Sequence, residues 1–169
     1  YAATMHSDPI EQLGEQWRLE LDGLETSAMV TIARLNRARA LTMRHVEQAL
    51  ADAGSSLADF DVLSTLRRQG PPYAMKPSAI ARSIMLSASG MTTRIDQLER
   101  SGLVERTPDP TNRRIAPVAL TPQGVAEAER LVRHLVTTEE RLLSTLTNEE
   151  QATLDSILRK LAAGVDDPA

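Results

Sequence analysis

Apolar residues recur along most of this chain at steps of three and four, the spacing that puts side chains on one face of a helix. Leu13, Trp17 and Leu21 predict a short first helix. Its start is marked by Asp8 as N-cap, Pro9 in the first helical position and Glu11 reaching back. Met29, Ile32, Ala33, Ala40, Met43 and Leu50 predict a long helix over 27–53, ended by Gly54-Ser55-Ser56. Leu57, Phe60, Leu63 and Leu66 predict a third over 57–69, stopped by Gly70-Pro71-Pro72. A fourth follows over 77–84 with Ile80, Ala81 and Ile84 inward, then a fifth over 88–101, capped by Ser87 and ended by Gly102.

The period then changes. Residues 103–107 and 115–120 read as two short strands around the polar tip Asp109-Pro110-Thr111-Asn112-Arg113-Arg114. Pro117 cannot donate to a ladder, which predicts an edge position for the second strand. Helical spacing resumes over 122–144, with Val125, Ala128, Leu131, Val132, Leu135, Leu142 and Leu143 on one face. Thr147 and Glu150 form a capping box for a last helix carrying Leu154, Ile157, Leu158 and Leu161. Met5 reads as a natural start, and Tyr1–Thr4 are left out of the fold reasoning.

Composition narrows the class. The 169 residues hold no cysteine, which excludes disulfides, thiolate zinc sites and a cysteine nucleophile and suits a cytoplasmic setting. Only four aromatic residues are present, Tyr1, Trp17, Phe60 and Tyr73, so the core is aliphatic and helix packing is favoured over a β-sandwich. No apolar run is long enough to span a bilayer, and no signal sequence is visible. The net charge of −4 hides an asymmetry. Residues 61–114 carry nine basic and five acidic side chains, whereas the rest carries ten and eighteen. A basic middle between acidic ends is the footprint of a phosphate-binding segment.

Two short helices joined by a tight turn and followed by a hairpin make a winged helix-turn-helix. In the second helix Met91, Ile95 and Leu98 share one face, while Ser89, Thr93, Asp96 and Arg100 lie opposite with Thr92 beside them. Hydroxyls and an arginine on a groove-facing side reach phosphates and base edges, and a helix N-terminus near Ser87 attracts phosphate. Arg113 and Arg114 at the hairpin tip suit the narrow, strongly negative minor groove.

The segments FDVLSTLRRQGPP, SASGMTTRIDQLERSGLVERTPDPTNRR and LTPQG resemble the multiple antibiotic resistance regulator (MarR) family over residues 60–124. The resemblance implies a homodimeric transcription factor whose terminal helices form the dimer interface. It also implies binding to a palindromic operator, mostly as a repressor, and a small ligand that lowers affinity for double-stranded DNA. It divides the chain into N-terminal helices over 8–56, a DNA-binding domain over 57–120 and C-terminal dimerisation helices over 121–165. The expected fold is mainly α, with a two-stranded β wing. Two positions depart from the family pattern. The wing reads Asn112-Arg113-Arg114 where the family usually has Asp-x-Arg, which removes an ion pair to Arg114. Lys76 stands where a capping Ser or Thr often precedes the proline.

EQWRLELDGL together with FDVLSTLRR and MLSASGMTTRIDQLERSGLVER further resembles the family's urate-responsive subgroup. Matched motif by motif, its ligand residues fall on Trp17, Asp61, Arg94 and Arg106. The residues themselves suit a flat anion, with two guanidinium forks and a stacking indole. Arg94 lies about 60° from the Met91/Ile95/Leu98 face, so it needs a partner, and Asp61 is the expected one. Urate, a tricarboxylate and an aromatic acid all remain compatible with such a pocket.

Catalysis is not indicated. His6, His45 and His134 fall in different elements, and no GxSxG, P-loop or Rossmann fingerprint occurs. No cofactor and no metal are expected. A non-DNA helical interaction module is the remaining alternative, and it leaves the basic wing unexplained.

Overall fold

The computed structural model describes residues 8–84, 88–106 and 116–166, with Ala88, Ser89 and Asp166 described by backbone alone. Seven helices and three short strands are found among them: α1 Pro9–Glu20, α2 Ser27–Asp52, α3 Leu57–Arg68, β1 Ala74–Met75, α4 Pro77–Ile84, α5 Ala88–Arg100, β2 Val104–Arg106, β3 Val118–Leu120, α6 Pro122–Leu143 and α7 Asn148–Asp166. The architecture is mainly α with one small antiparallel sheet, as the periodicity predicts. Two compact units divide the chain, Tyr1–His45 and Val46–Ala169.

In the first unit, the Asp8 carboxylate caps α1 by accepting from the Ile10 N–H at 3.1 Å. The reach-back expected of Glu11 is replaced by an ion pair: Arg34 of α2 donates to Glu11 at 2.6 Å and to Asp8 at 3.1 Å. A cation that satisfies both carboxylates at once outcompetes a single backbone N–H. Gly14 is buried where α1 meets α2; a Cβ there would lie 2.6 Å from Val30 Cγ2. That close approach selects Val30 as the inward residue of early α2, leaving Met29 and Ile32 on the outside.

In the second unit, α6 packs on α3, α4 joins α3 and α5, and the sheet lies against α3, α5 and α6. Val62, Leu63, Leu66, Ile80, Met91, Ile95, Val118 and Leu131 are sealed from solvent. The strand order is β1-β3-β2, with Ala74 opposite Ala119 on one side and Arg106 opposite Val118 on the other. This corrects two expectations. The hairpin gains a third strand, and β3 is central rather than at an edge. Pro117 is compatible with a central strand because the paired residues begin at Val118, so its missing N–H falls just outside the ladder.

The LTPQG segment has a steric logic. Thr121 caps α6 through the Gly124 N–H, and Pro122 takes the first turn. A Cβ on Gly124 would lie 1.8 Å from the Leu103 carbonyl oxygen, so only glycine lets α6 start against the residue leading into β2. Among the described residues no helix is long and apolar enough to cross a membrane.

Candidate nucleic-acid interface

The helix-turn-helix is built from α4 and α5. The stripe Met91, Ile95 and Leu98 is buried in the second unit, which turns Thr92, Thr93 and Arg100 outward as a contiguous polar face. Arg100 also donates from Nε to the Asp96 carbonyl at 3.2 Å, which holds its stem along the helix. Arg82 and Lys76 add exposed positive charge on and before α4. Ser87, Arg113 and Arg114 lie outside the described residues, as does the side chain of Ser89.

Arg94 does not meet Asp61. Its Nη1 donates to Asp59 Oδ1 at 2.9 Å and lies 3.4 Å from Ser56 Oγ. The cause is the start of α3. Ser56 is the N-cap, its hydroxyl accepting from the Asp59 N–H at 3.1 Å and donating to Asp59 Oδ2 at 2.7 Å. This turns the Asp59 carboxylate toward the cap, where Arg94 reaches it. Residues two apart point to different helix faces, so Asp61 cannot share that position. Asp61 is instead half-buried, and burial pushes its pKa above the ordinary carboxylate value while Arg68 pulls it back.

Arg106 of β2 is nearly buried, with 10% of its side chain exposed, and is clamped by two acids of α5. It donates to Asp96 at 2.6 Å and to Glu99. A cavity of about 620 Å³ opens beside this clamp, lined by Pro77, Thr92, Asp96, Glu99, Arg100 and Arg106 among others. Two positive and two negative side chains face it, so it carries no net charge of its own. Trp17 of α1 is 44% exposed. Asp61, Arg94 and Arg106 thus have separate surroundings, and sequence reasoning missed Asp59, Asp96 and Glu99 as the acids that hold the two arginines. The Ser56-x-x-Asp59 spacing, a helix-start signature, was the signal that could have identified Asp59. No group of three His, Asp or Glu side chains among the described residues could hold a metal ion.

Two helices with an exposed polar recognition face, followed by a strand pair against the core, define a winged helix-turn-helix DNA-binding protein. Comparison with known proteins gives the particular family. The family model described as MarR family matches residues 56–116. The HTH-type transcriptional regulator PecS of Dickeya dadantii (strain 3937) is 34% identical over 152 residues, covering 90% of this chain and 92% of PecS. A cysteine-to-serine mutant of MarR from E. coli, solved in complex with operator DNA, matches with a TM-score of 0.65 and 25% identity over 82% of this chain and 99% of that one. BpsR of Bordetella bronchiseptica, solved in a study of how 6-hydroxynicotinic acid regulates its DNA binding, matches with a TM-score of 0.67 and 26% identity over 78% of this chain and 98% of that one. The chain belongs to the MarR family. It is a DNA-binding transcriptional regulator and not an enzyme.

Proposed function

We propose that this regulator represses transcription as a homodimer on a palindromic operator and is released from it by a small anion. The observation that carries the release mechanism is that arginine–carboxylate pairs tie α5 to its neighbours on two sides, Arg94 of α5 to Asp59 of α3 and Arg106 of β2 to Asp96 and Glu99 of α5. An anion takes either guanidinium only by displacing a carboxylate, and each displacement cuts a tie between α5 and a neighbouring element. The ligand then favours states in which α5 is repositioned, and by linkage operator affinity falls.

In this reading Arg94 and Arg106 are the residues that take the anion, each from its own surroundings, through charge-assisted hydrogen bonds. Trp17, in the other unit, is implied by the subgroup resemblance as an indole able to stack on a flat ring. Asp61 is the acid that an arriving anion destabilises; burial has already made its charge unfavourable, so a second negative charge nearby drives it toward its protonated form. Ser87, Ser89, Thr92, Thr93 and Arg100 contact the major groove and its phosphates, and Arg113 and Arg114 reach the minor groove. The dimer is supported by α7, whose apolar stripe is left exposed. The ligand class is a flat, conjugated anion, urate or an aromatic acid of the kind named for BpsR.

Fluorescence anisotropy of a labelled duplex from the gene's own upstream region tests this, with urate, citrate and 6-hydroxynicotinate added in turn. Release by urate, lost in Arg94→Ala, is the expected result. Release of the Arg94→Ala complex as well would put the site elsewhere. Release by one of the other two alone replaces urate as the ligand, and release by none contradicts the anion reading.

A further inference from the structure

We infer that Asp59 is a positioning residue that sets the rotation of α5 about its own axis, acting through Arg94. The inference rests on α5 being the helix that reads DNA, and it is independent of any ligand. The Met91/Ile95/Leu98 stripe fixes how deeply α5 is seated, but apolar contact is non-directional and specifies its rotation less sharply than directional bonds do. Directional contacts on the flanks of the stripe are what resist a roll. At about 100° per residue, Arg94 lies about 60° to one side of the stripe and Glu99 and Asp96 lie to the other. On the second flank the tie is Arg106, described above. On the first it is Asp59, and this acceptor is fixed before Arg94 arrives.

Three observations make it so. Ser56 Oγ donates to Asp59 Oδ2 at 2.7 Å, and the Asp59 N–H donates back to Ser56 Oγ at 3.1 Å. Asp59 also sits in the first turn of α3, where the helix dipole favours a negative charge. The pair itself is only 28% and 24% exposed, so water competes with it less than with a surface ion pair. Thr92 and Thr93 precede Arg94 directly, so a roll released at Arg94 swings both hydroxyls with it.

The test is a double-mutant cycle on operator affinity in the full-length protein, read beside the side-chain nitrogen spectrum of Arg94. Asp59→Asn and Arg94→Gln are each expected to weaken operator binding by about tenfold, and the double variant no further than the weaker single, because one contact is being removed twice. Arg94→Lys keeps a charge for Asp59 and is expected to recover part of the loss. The slope of log affinity against log salt stays unchanged, since no phosphate contact is removed. Glu129→Gln, which breaks the somewhat more exposed ion pair between Arg67 of α3 and Glu129 of α6, is expected to change affinity by under about twofold. In the spectrum, the guanidinium of Arg94 rotates slowly in the wild type and freely in Asp59→Asn. Additive losses in the cycle overturn the inference, as does coupling of Arg94→Gln to Asp61→Asn in place of Asp59→Asn, or a spectrum indifferent to Asp59→Asn. If Thr92→Val and Thr93→Val leave operator affinity intact, the failure lies with α5 as the reading helix, and the spectrum still decides whether Asp59 holds Arg94.

Discussion

Helices α5 and α7 carry the same kind of apolar stripe and meet opposite fates. In α5, Met91, Ile95 and Leu98 are 1%, 0% and 3% exposed. In α7, Leu154, Ile157, Leu158 and Leu161 are 38%, 57%, 40% and 42% exposed. One stripe is enclosed by its own chain, the other is not. The difference separates a part of the molecule whose core is complete in one copy from a part whose core is unfinished. The proposed homodimer on a two-fold operator has use for both, a reading head complete in each copy and a terminal helix that would find its cover on a second chain.

The strongest way to break the finished region is Gly124→Ala. The new Cβ would have to occupy space within 1.8 Å of the Leu103 carbonyl oxygen, and backbone cannot yield as a side-chain tip can. A loss of about 4 kcal/mol or more is expected in urea unfolding, enough to leave little folded protein. Next comes a matched pair. Ile95→Ala should cost about 2–5 kcal/mol at any protein concentration, because a sealed methyl-rich site is emptied. Ile157→Ala, on the open stripe, should cost under about 1 kcal/mol in dilute protein and raise the concentration at which a dimer forms. Equal, concentration-independent losses in thermal melts would erase the distinction between the two helices.

A smaller effect is expected at the start of α7. Thr147 donates to the Glu150 carboxylate from its hydroxyl at 2.9 Å and from its backbone N–H at 2.8 Å, and the Glu150 N–H donates back to the Thr147 hydroxyl at 3.3 Å. Thr147→Ala should cost about 1 kcal/mol, detectable by circular dichroism as fraying of α7. The backbone hydrogen bond from Thr147 holds the Glu150 pKa below its ordinary value of 4.5, so the cap is present above that pH and is lost as pH falls through the lowered value.

The smallest effect has the opposite sign. Burial raises the Asp61 pKa, so the folded state favours its protonated form. The stability tied to Asp61 is therefore fully present below its ordinary value of 3.8 and is lost as pH rises through the raised one. At neutral pH the charged group is a cost. Asp61→Asn should raise the melting temperature slightly at pH 7, and the gain should vanish below pH 3.8, where both side chains are neutral. A gain that persists in acid would show that packing, not charge, is responsible.

The sequence made the helices and the recognition face legible because both rest on spacing. Met91, Ile95 and Leu98 can only share a face, and Thr92 and Thr93 can only lie off it. The two-residue strand β1 was not legible, since Ala74 and Met75 carry no alternation long enough to read. Nor was the partner of Arg94. Asp59 and Asp61 offer the same chemistry two positions apart, and the choice is made by the Ser56 cap turning one of them toward α5. The central place of β3 escaped for a related reason: Pro117 argues against pairing only at its own position, and the ladder begins one residue later.

The most direct test of the account is sedimentation of the intact protein with a fluorescent operator duplex at micromolar concentration. The expected result is a free species at twice the 18.5 kDa mass of one chain and a complex holding two chains per duplex. A free 18.5 kDa species bound one chain to a duplex would contradict it, because the exposed stripe of α7 would then have no second copy to cover it.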